Sequence, residues 1–336
     1  MGKDSPPKAY LRELASKFPK HGALTLAKLA YRERPESWPS LEACRSMARA
    51  IFGVHGKKMR QETADKALFR KPRKAGWSDV IPESLNSVEE WKAVEIEGPA
   101  RALSLMDIHI PWHNKMALEL SLQYGKDNRA DLILLNGDIV DHYALSDFQK
   151  DPKKRDFPAE VRAAKHFLGG LRNRFPHAQI VYKLGNHEER WERYLRLKAP
   201  DLLGLPDFEW GSVMGLDDYN IQLVDNKRPV HLGKLNVIHG HEYPNTISSP
   251  VNPARGLYLR AKVNAMCGHY HQTAQHSEKD LSGQVVSTWS VGCLCDLNPE
   301  YMPLNKWNLG FAFVEIDKRG AFEVENLRII DGRIYR

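Results

Sequence analysis

Five apolar runs in this chain each end on residues that can hold a metal ion. Residues 101–106 stop at Asp107, with His109 beyond. Residues 131–137 stop at Asp138, with Asp141 beyond, and residues 179–185 stop at Asn186, His187 and Glu188. Residues 234–238 stop at His239-Gly240-His241, and residues 263–268 at His269-Tyr270-His271. Short apolar runs punctuated by glycine predict buried strands. In open α/β sheets, ligands bind beyond the carboxyl ends of the strands. Five strands that deliver Asp, His, Asn and His to one sheet edge are the plan of an active site.

The elements that must carry these residues alternate. Helical patterns over 115–124 and 159–175 fall between the strand-like runs, which predicts an α/β domain. After Val285 the pattern becomes strand-rich, with 311–316 and 322–330 joined by a hairpin-like turn at 317–320. Upstream lie three short helical stretches. They are Tyr10–Phe18, then Ala23–Arg34 with Leu24, Ala27 and Tyr31 on one face, and a helix capped by Ser40 that runs to Phe52. A basic turn follows at 53–60. The sequence therefore predicts a small all-α domain over 1–75, a proline-punctuated linker over 76–99 with one short helix at 83–91, and the α/β domain over 100–336.

Charge divides along the same boundary. Residues 1–75 hold 18 Lys and Arg against seven Asp and Glu, a net +11, whereas the remainder is mildly acidic at −4. A basic appendage of three helices is consistent with a helix-turn-helix module and a DNA or RNA partner. The four cysteines show neither a disulfide framework nor a paired zinc spacing. No signal-peptide pattern and no run of transmembrane length is present, so the expectation is a cytoplasmic protein without a membrane partner.

Asp107-Ile-His109, Gly137-Asp138-Ile-Val-Asp141, Gly185-Asn186-His187-Glu188, His239-Gly240-His241 and Gly268-His269-Tyr-His271 resemble, in order and spacing, the five motifs of the calcineurin-like metallophosphoesterase superfamily. The resemblance spans roughly residues 100–275. With its helix-turn-helix-like N-terminal segment, the chain also resembles a subgroup found in phage and prophage genomes. The fold so implied is a central two-sheet mixed β-sandwich flanked by helices, the αββα type. The resemblance further implies two divalent metal ions (Mn, Fe or Zn). Asp107, His109, Asp138 and His271 would hold the first, and Asn186, His239 and His269 the second, with Asp138 bridging. Two cations about 3.5–4 Å apart need a shared anion and together make hydroxide available near neutral pH. His187 would then assist the leaving oxygen, and Asp141 would orient a histidine. His241 is left as a neighbour or an alternate ligand.

One departure bears on substrate. Protein phosphatases of the superfamily place arginine directly after the second motif, where this chain has His142. Losing that planar fork is more compatible with a phosphodiester than with a dianionic monoester. His142, His113 and Arg255 are candidate substrate contacts, and Trp112, Asn252, Asn298, Tyr301 and Trp307 sit in loops that could shape specificity. Arg190, Arg193 and Arg196 could meet a polyanion, although Glu189 and Glu192 suggest a salt-bridged helix face. Three functions follow: a phosphodiesterase or nuclease acting on nucleic acid or nucleotides, a phosphomonoesterase, and an inert nucleic-acid-binding regulator.

Overall fold

The computed structural model describes residues 5–52, 76, 81–82, 91–148, 151–243 and 251–336. The chain forms two compact units, Met1–Ser87 and Val88–Arg336. In the first, α1 (Pro6–Lys17), α2 (Ala23–Glu33) and α3 (Leu41–Phe52) fall where the sequence predicts helices. They enclose Leu11, Leu14, Leu26, Ala27, Ala30, Trp38, Cys44, Ala48 and Ile51. The buried face of α2 is Leu26, Ala27 and Ala30, while Leu24 is exposed. Leu24 and Leu26 lie about 200° apart around a helix, so only one can face the core. Arg45 and Arg49 both pair with Glu42. The basic turn at 53–60 and residues 83–90 of the short helix expected over 83–91 lie outside the described residues.

The second unit is built on two sheets. One has the order β13-β12-β11-β2-β3-β4-β5. Its parallel half is β2 (Ala100–Leu105), β3 (Leu132–Asn136), β4 (Gln179–Lys183) and β5 (Ile221–Val224). Its antiparallel half is β11 (Gly310–Ile316), β12 (Phe322–Ile330) and β13 (Arg333–Tyr335). The second sheet has the order β1-β6-β7-β8-β10-β9. It comprises β1 (Val94–Ile96), β6 (Val230–Leu232), β7 (Leu235–Val237), β8 (Ala265–Cys267), β10 (Val285–Ser290) and β9 (Ala274–Lys279). β1 falls inside the stretch read from sequence as linker and pairs in parallel with β6.

Strands buried on both faces read as continuous apolar runs, and side-chain alternation sorts each run between two cores. Ala102, Leu132, Leu134, Val181 and Val224 face the second sheet, where Val230, Leu232, Leu235, Val237, Met266 and Trp289 meet them. Leu103, Leu105, Ile133, Leu135, Ile180 and Tyr182 face the opposite way, onto α4 (Lys115–Asp127) and α5 (Phe157–Arg174) through Ala117, Leu118, Ala164, Leu168 and Leu171. On the second sheet, Leu257 of α8 (Pro253–Ala261) packs with Ala265 and Cys267. The remaining helices are α6 (Glu189–Lys198) and α7 (Trp210–Met214). The unit is thus two mixed sheets flanked by helices, as the sequence implies. Side chains of Asn114 and Asp156 cap α4 and α5, so each helix starts cleanly after a loop of the catalytic edge.

Phe311 is fully buried between β11 and α4, edge-on to Tyr124. Phe311→Ala is expected to cost about 3–5 kcal/mol, read as a lower urea midpoint. A change under about 1 kcal/mol would mean that this layer is not close-packed.

Candidate metal centre

All five motif loops meet at one edge. β2, β3 and β4 run parallel and finish together, and β7 and β8 bring the second sheet's loops alongside. The loops are bonded to one another: His109 N donates to Asp138 O at 3.0 Å, and Asp107 N to Gly137 O at 3.1 Å. His269 N donates to the Asp107 carboxylate at 2.9 Å, which ties the second sheet to the first. Asp107, His109, Asp138, His142, His269 and His271 all have φ between 50° and 67°. Left-handed backbone at non-glycine residues costs of order 1 kcal/mol each and gathers at functional sites. Here it turns each side chain inward immediately beyond its strand. Gly185 completes the fit, because a Cβ there would lie 2.3 Å from Asp138 Oδ1.

Asp138 occupies the middle. Its Oδ2 lies 3.2 Å from His239 Nε2, 3.8 Å from His187 Nε2 and 3.9 Å from His109 Nε2. Three groups could hold a metal ion: Asp138, His239 and His269; His109, Asp138 and His187; and His109, His271 and Cys295. Asp107 joins them through Oδ1, 3.2 Å from His271 Nε2 and 3.9 Å from His239 Nε2. Three of the inward imidazoles have a neighbour behind them at Nδ1. His109 is fixed by Asp141 Oδ1 at 3.0 Å, His239 by Asn136 O at 2.8 Å, and His271 lies 3.7 Å from Cys295 Sγ. Such backing fixes the ring and leaves Nε2 as the ligating atom.

The residues fit a divalent ion on independent grounds. Asn186 Oδ1 is buried without a hydrogen-bond partner. Unsatisfied buried polar atoms are costly unless something binds them, and Asn186 belongs to the expected second ion's ligand set. Electrostatics agrees. Burial opposes charge on His239, yet Asp138 and Asp107 raise its pKa to about 10. Burial likewise opposes charge on His271, and Asp107 lifts it well above the usual imidazole value. Asp138 and Asp107 are both held down against burial by the surrounding histidines. His269, by contrast, is lowered to about 4 by burial and by His239. In the metal-free chain, protons on His239 and His271 stand where a cation would.

His187 and Asp141 are brought together as expected. His187 Nδ1 lies 2.7 Å from Asp141 O and 3.3 Å from Asp141 Oδ1. A carbonyl only accepts, so Nδ1 carries a hydrogen. A further proton on Nε2 makes the imidazolium, which Asp138 favours and both burial and Arg190 oppose. The proposed substrate contacts are placed unevenly. His142 is fully buried, bonded through Nδ1 to His187 O and packed edge-on to Trp210. His113 pairs with Cys295 across a β-bridge, its Nδ1 buried without a partner. Arg255 is exposed on the first turn of α8, its amide capped by Asn252, and no hydrogen bond or ion pair joins it to a site residue among the described residues. His241 turns to Glu189 at 3.0 Å rather than to the cluster centre.

Four features escaped the sequence reading. Glu188 is 1% exposed, and its carboxylate accepts from the amides of Asp138, Ile139, Val140 and Gly185 and from Tyr182 OH. It therefore pins the second and third loops together. Glu242 does the same for the fourth loop, accepting from the amides of His239 and Gly240 while paired with buried Lys183. Cys295 stands beside His271. Arg190 donates to Asp141 O at 2.9 Å and to His187 Nε2 at 3.0 Å, whereas Arg193 and Arg196 pair with Asp147 and Glu192. The acid in the third motif and the basic spacing of Arg190 with Arg193 and Arg196, read there as a salt-bridged face, were the only advance signals for them.

The profile of the calcineurin-like phosphoesterases matches residues 107–286, more than half of the chain. The chain belongs to this family. Among solved structures it is similar to Vps29 from Entamoeba histolytica, at 12% identity and TM-score 0.34 over 70% of this chain and 96% of that one. It is also similar to YfcE, a phosphoesterase from E. coli, at 13% identity and TM-score 0.31 over 67% of this chain and 98% of that one. A predicted phosphoesterase from Streptococcus pneumoniae matches at 14% identity and TM-score 0.30 over 70% and 95%. No curated protein matches in sequence. The family is metal-dependent, and the His and Asp clusters supply candidate ligands in this member. Among the described residues, no helix is long and apolar enough to cross a membrane.

Two outcomes follow. Glu188→Gln sets an amide N–H₂ against backbone donors whichever way it turns, so it should lower stability by at least about 2 kcal/mol and reduce metal occupancy. Unchanged unfolding and metal content would remove the clamp from the account. Because His239 holds its proton to about pH 10 in the metal-free chain and only neutral imidazole ligates, metal binding at pH 7–8 should release protons and tighten as pH rises. Calorimetry in buffers of different ionisation enthalpy counts those protons, and a count of zero contradicts the assignment.

Proposed function

We propose that the chain is a dinuclear metal-dependent phosphodiesterase acting on nucleic acid or nucleotides. The observation that carries the two-ion reading is the position of Asp138, whose carboxylate belongs both to the His109 cluster and to the His239–His269 cluster. Asp107, His109, Asp138 and His271 would hold one ion and Asn186, His239 and His269 the other, Asp138 being shared. When bound, the ions supply Lewis acidity toward phosphoryl oxygens and a hydroxide nucleophile near neutral pH.

The chain's own groups account for the rest. Asp141 fixes His109 through Nδ1 and positions His187 through its carbonyl and carboxylate. His187 Nε2 then faces the centre, where a proton on it serves the leaving oxygen. The loops are held rigid by Glu188 and Glu242, so the groups need little reorganisation when the ester arrives. Diester preference is supported by His142, a buried residue where a guanidinium would meet a monoester dianion. Nucleic acid as substrate is supported by the +11 charge of residues 1–75, since phosphate contacts dominate such binding.

A phosphomonoesterase is the second reading, and Arg190 is the observation in its favour, because it returns a cation to the site from another element. Side-by-side turnover of bis(p-nitrophenyl) phosphate and p-nitrophenyl phosphate by protein loaded with Mn, Zn or Fe separates the two. The diester should be preferred, and Asp138→Asn should abolish turnover of both. Monoester preference would replace the first reading with the second. Removal of residues 1–75 should leave turnover of the small diester intact while weakening nucleic-acid binding and flattening its salt dependence. Unaltered nucleic-acid affinity would detach that unit from substrate binding.

A further inference from the structure

We infer that Arg190 forms an anion subsite beside His187 that binds a non-bridging phosphoryl oxygen of the substrate. The inference rests on the phosphoesterase reading and adds to it a residue outside the five motifs. Arg190 lies in the first turn of α6, which begins at Glu189, two residues after His187. Its Nη2 lies 3.0 Å from His187 Nε2, and that same atom is 3.8 Å from Asp138 Oδ2. The guanidinium therefore stands next to the atom that faces the shared carboxylate. Its other contact, Nη1 to the Asp141 carbonyl at 2.9 Å, fixes its direction without neutralising it.

The guanidinium has no direct carboxylate partner. No ion pair joins Arg190 to a carboxylate among the described residues, although Arg193 and Arg196 on the same helix each have one. A guanidinium carries five N–H donors, and two are engaged here. The remaining donors, on a half-buried cation, call for an anionic acceptor. The contact with His187 places the guanidinium beside the edge of the imidazole that faces Asp138, where a phosphoryl oxygen could accept from Nη2. Arg190 thus fills, from a helix, the role of the arginine that is absent after Asp141, where His142 is turned into the core.

The test is calorimetric titration of inorganic phosphate into the full, metal-loaded chain, with metal content measured on each sample. Arg190→Gln should weaken phosphate binding by about tenfold or more, the scale of a lost charge-assisted hydrogen bond, with metal content unchanged. Arg190→Lys should recover most of the affinity, since it restores the charge. Phosphate binding by Arg190→Gln equal to that of the parent chain overturns the inference. So does a loss of affinity that tracks loss of metal, which would make Arg190 a brace for the loop rather than a ligand-binding group. A parent chain that neither binds phosphate nor cleaves any ester overturns the phosphoesterase reading as well. A parent chain that binds phosphate while Arg190→Gln does so equally leaves that reading standing and removes only the subsite.

Discussion

Two buried carboxylates, side by side at the ends of adjacent parallel strands, set the terms for the rest of this structure. Asp107 is 0% and Asp138 2% exposed, and each destabilises the other's charge while burial destabilises both. Such groups persist only if paired and hydrogen-bonded. Much of the pairing comes from outside their own sheet: His239 and His271 arrive from loops of the second sheet, and His269 adds its backbone amide. The two layers are therefore held at this edge by charge as well as by the apolar core between them. The same histidines that neutralise the carboxylates in the metal-free chain are the ones that would ligate the ions, so protons and cations compete for one set of positions.

Bringing so many polar groups to one point forces the backbone into costly shapes, and these need their own supports. Six site residues in left-handed conformation store strain that an isolated loop would relieve by unfolding. Glu188 braces the second loop, which holds Asp138 and His142, against the third by accepting five hydrogen bonds, and Glu242 with Lys183 fixes the fourth loop beside them. Neither glutamate reaches the centre of the cluster. Their contribution is rigidity, which matters because ligands placed loosely would have to be reordered on each binding event.

Much of this was legible in the sequence, for a physical reason. Strand-end motifs are local: an apolar run and the ligand that follows it are contiguous, and parallel pairing then brings all such ends together. That is why Asp107, Asp138, Asn186, His239, His269 and His271 could be named beforehand and why the α/β alternation was visible. What was not legible depends on contacts between distant segments. Lys183 sits within an apolar run, and nothing local announces that Glu242 will meet it. His142 follows a motif and looked available to substrate, yet its left-handed backbone turns the ring onto Trp210. Arg190 was hidden by its neighbours, because Arg190, Arg193 and Arg196 with Glu189 and Glu192 read as one salt-bridged face. Only the register of α6 against the site separates the first from the other two.

That register has a consequence for how charge is delivered. An arginine placed directly after Asp141 would be carried by the loop that leaves β3, independent of the third motif. In this chain Asn186, His187 and Arg190 lie on a single turn, within five residues of one another, and Glu188 between them fixes that turn to the loop bearing Asp138. An amide, an imidazole and a guanidinium are thus set by one local conformation, so a displacement of the first turn of α6 shifts all three together. Arg190 reaches back to the Asp141 carbonyl, which closes the connection between the third loop and the second. The geometry of the guanidinium is therefore coupled to the backing of His109 through the same aspartate. Asp141 thus holds both the guanidinium of Arg190 and the ring of His109.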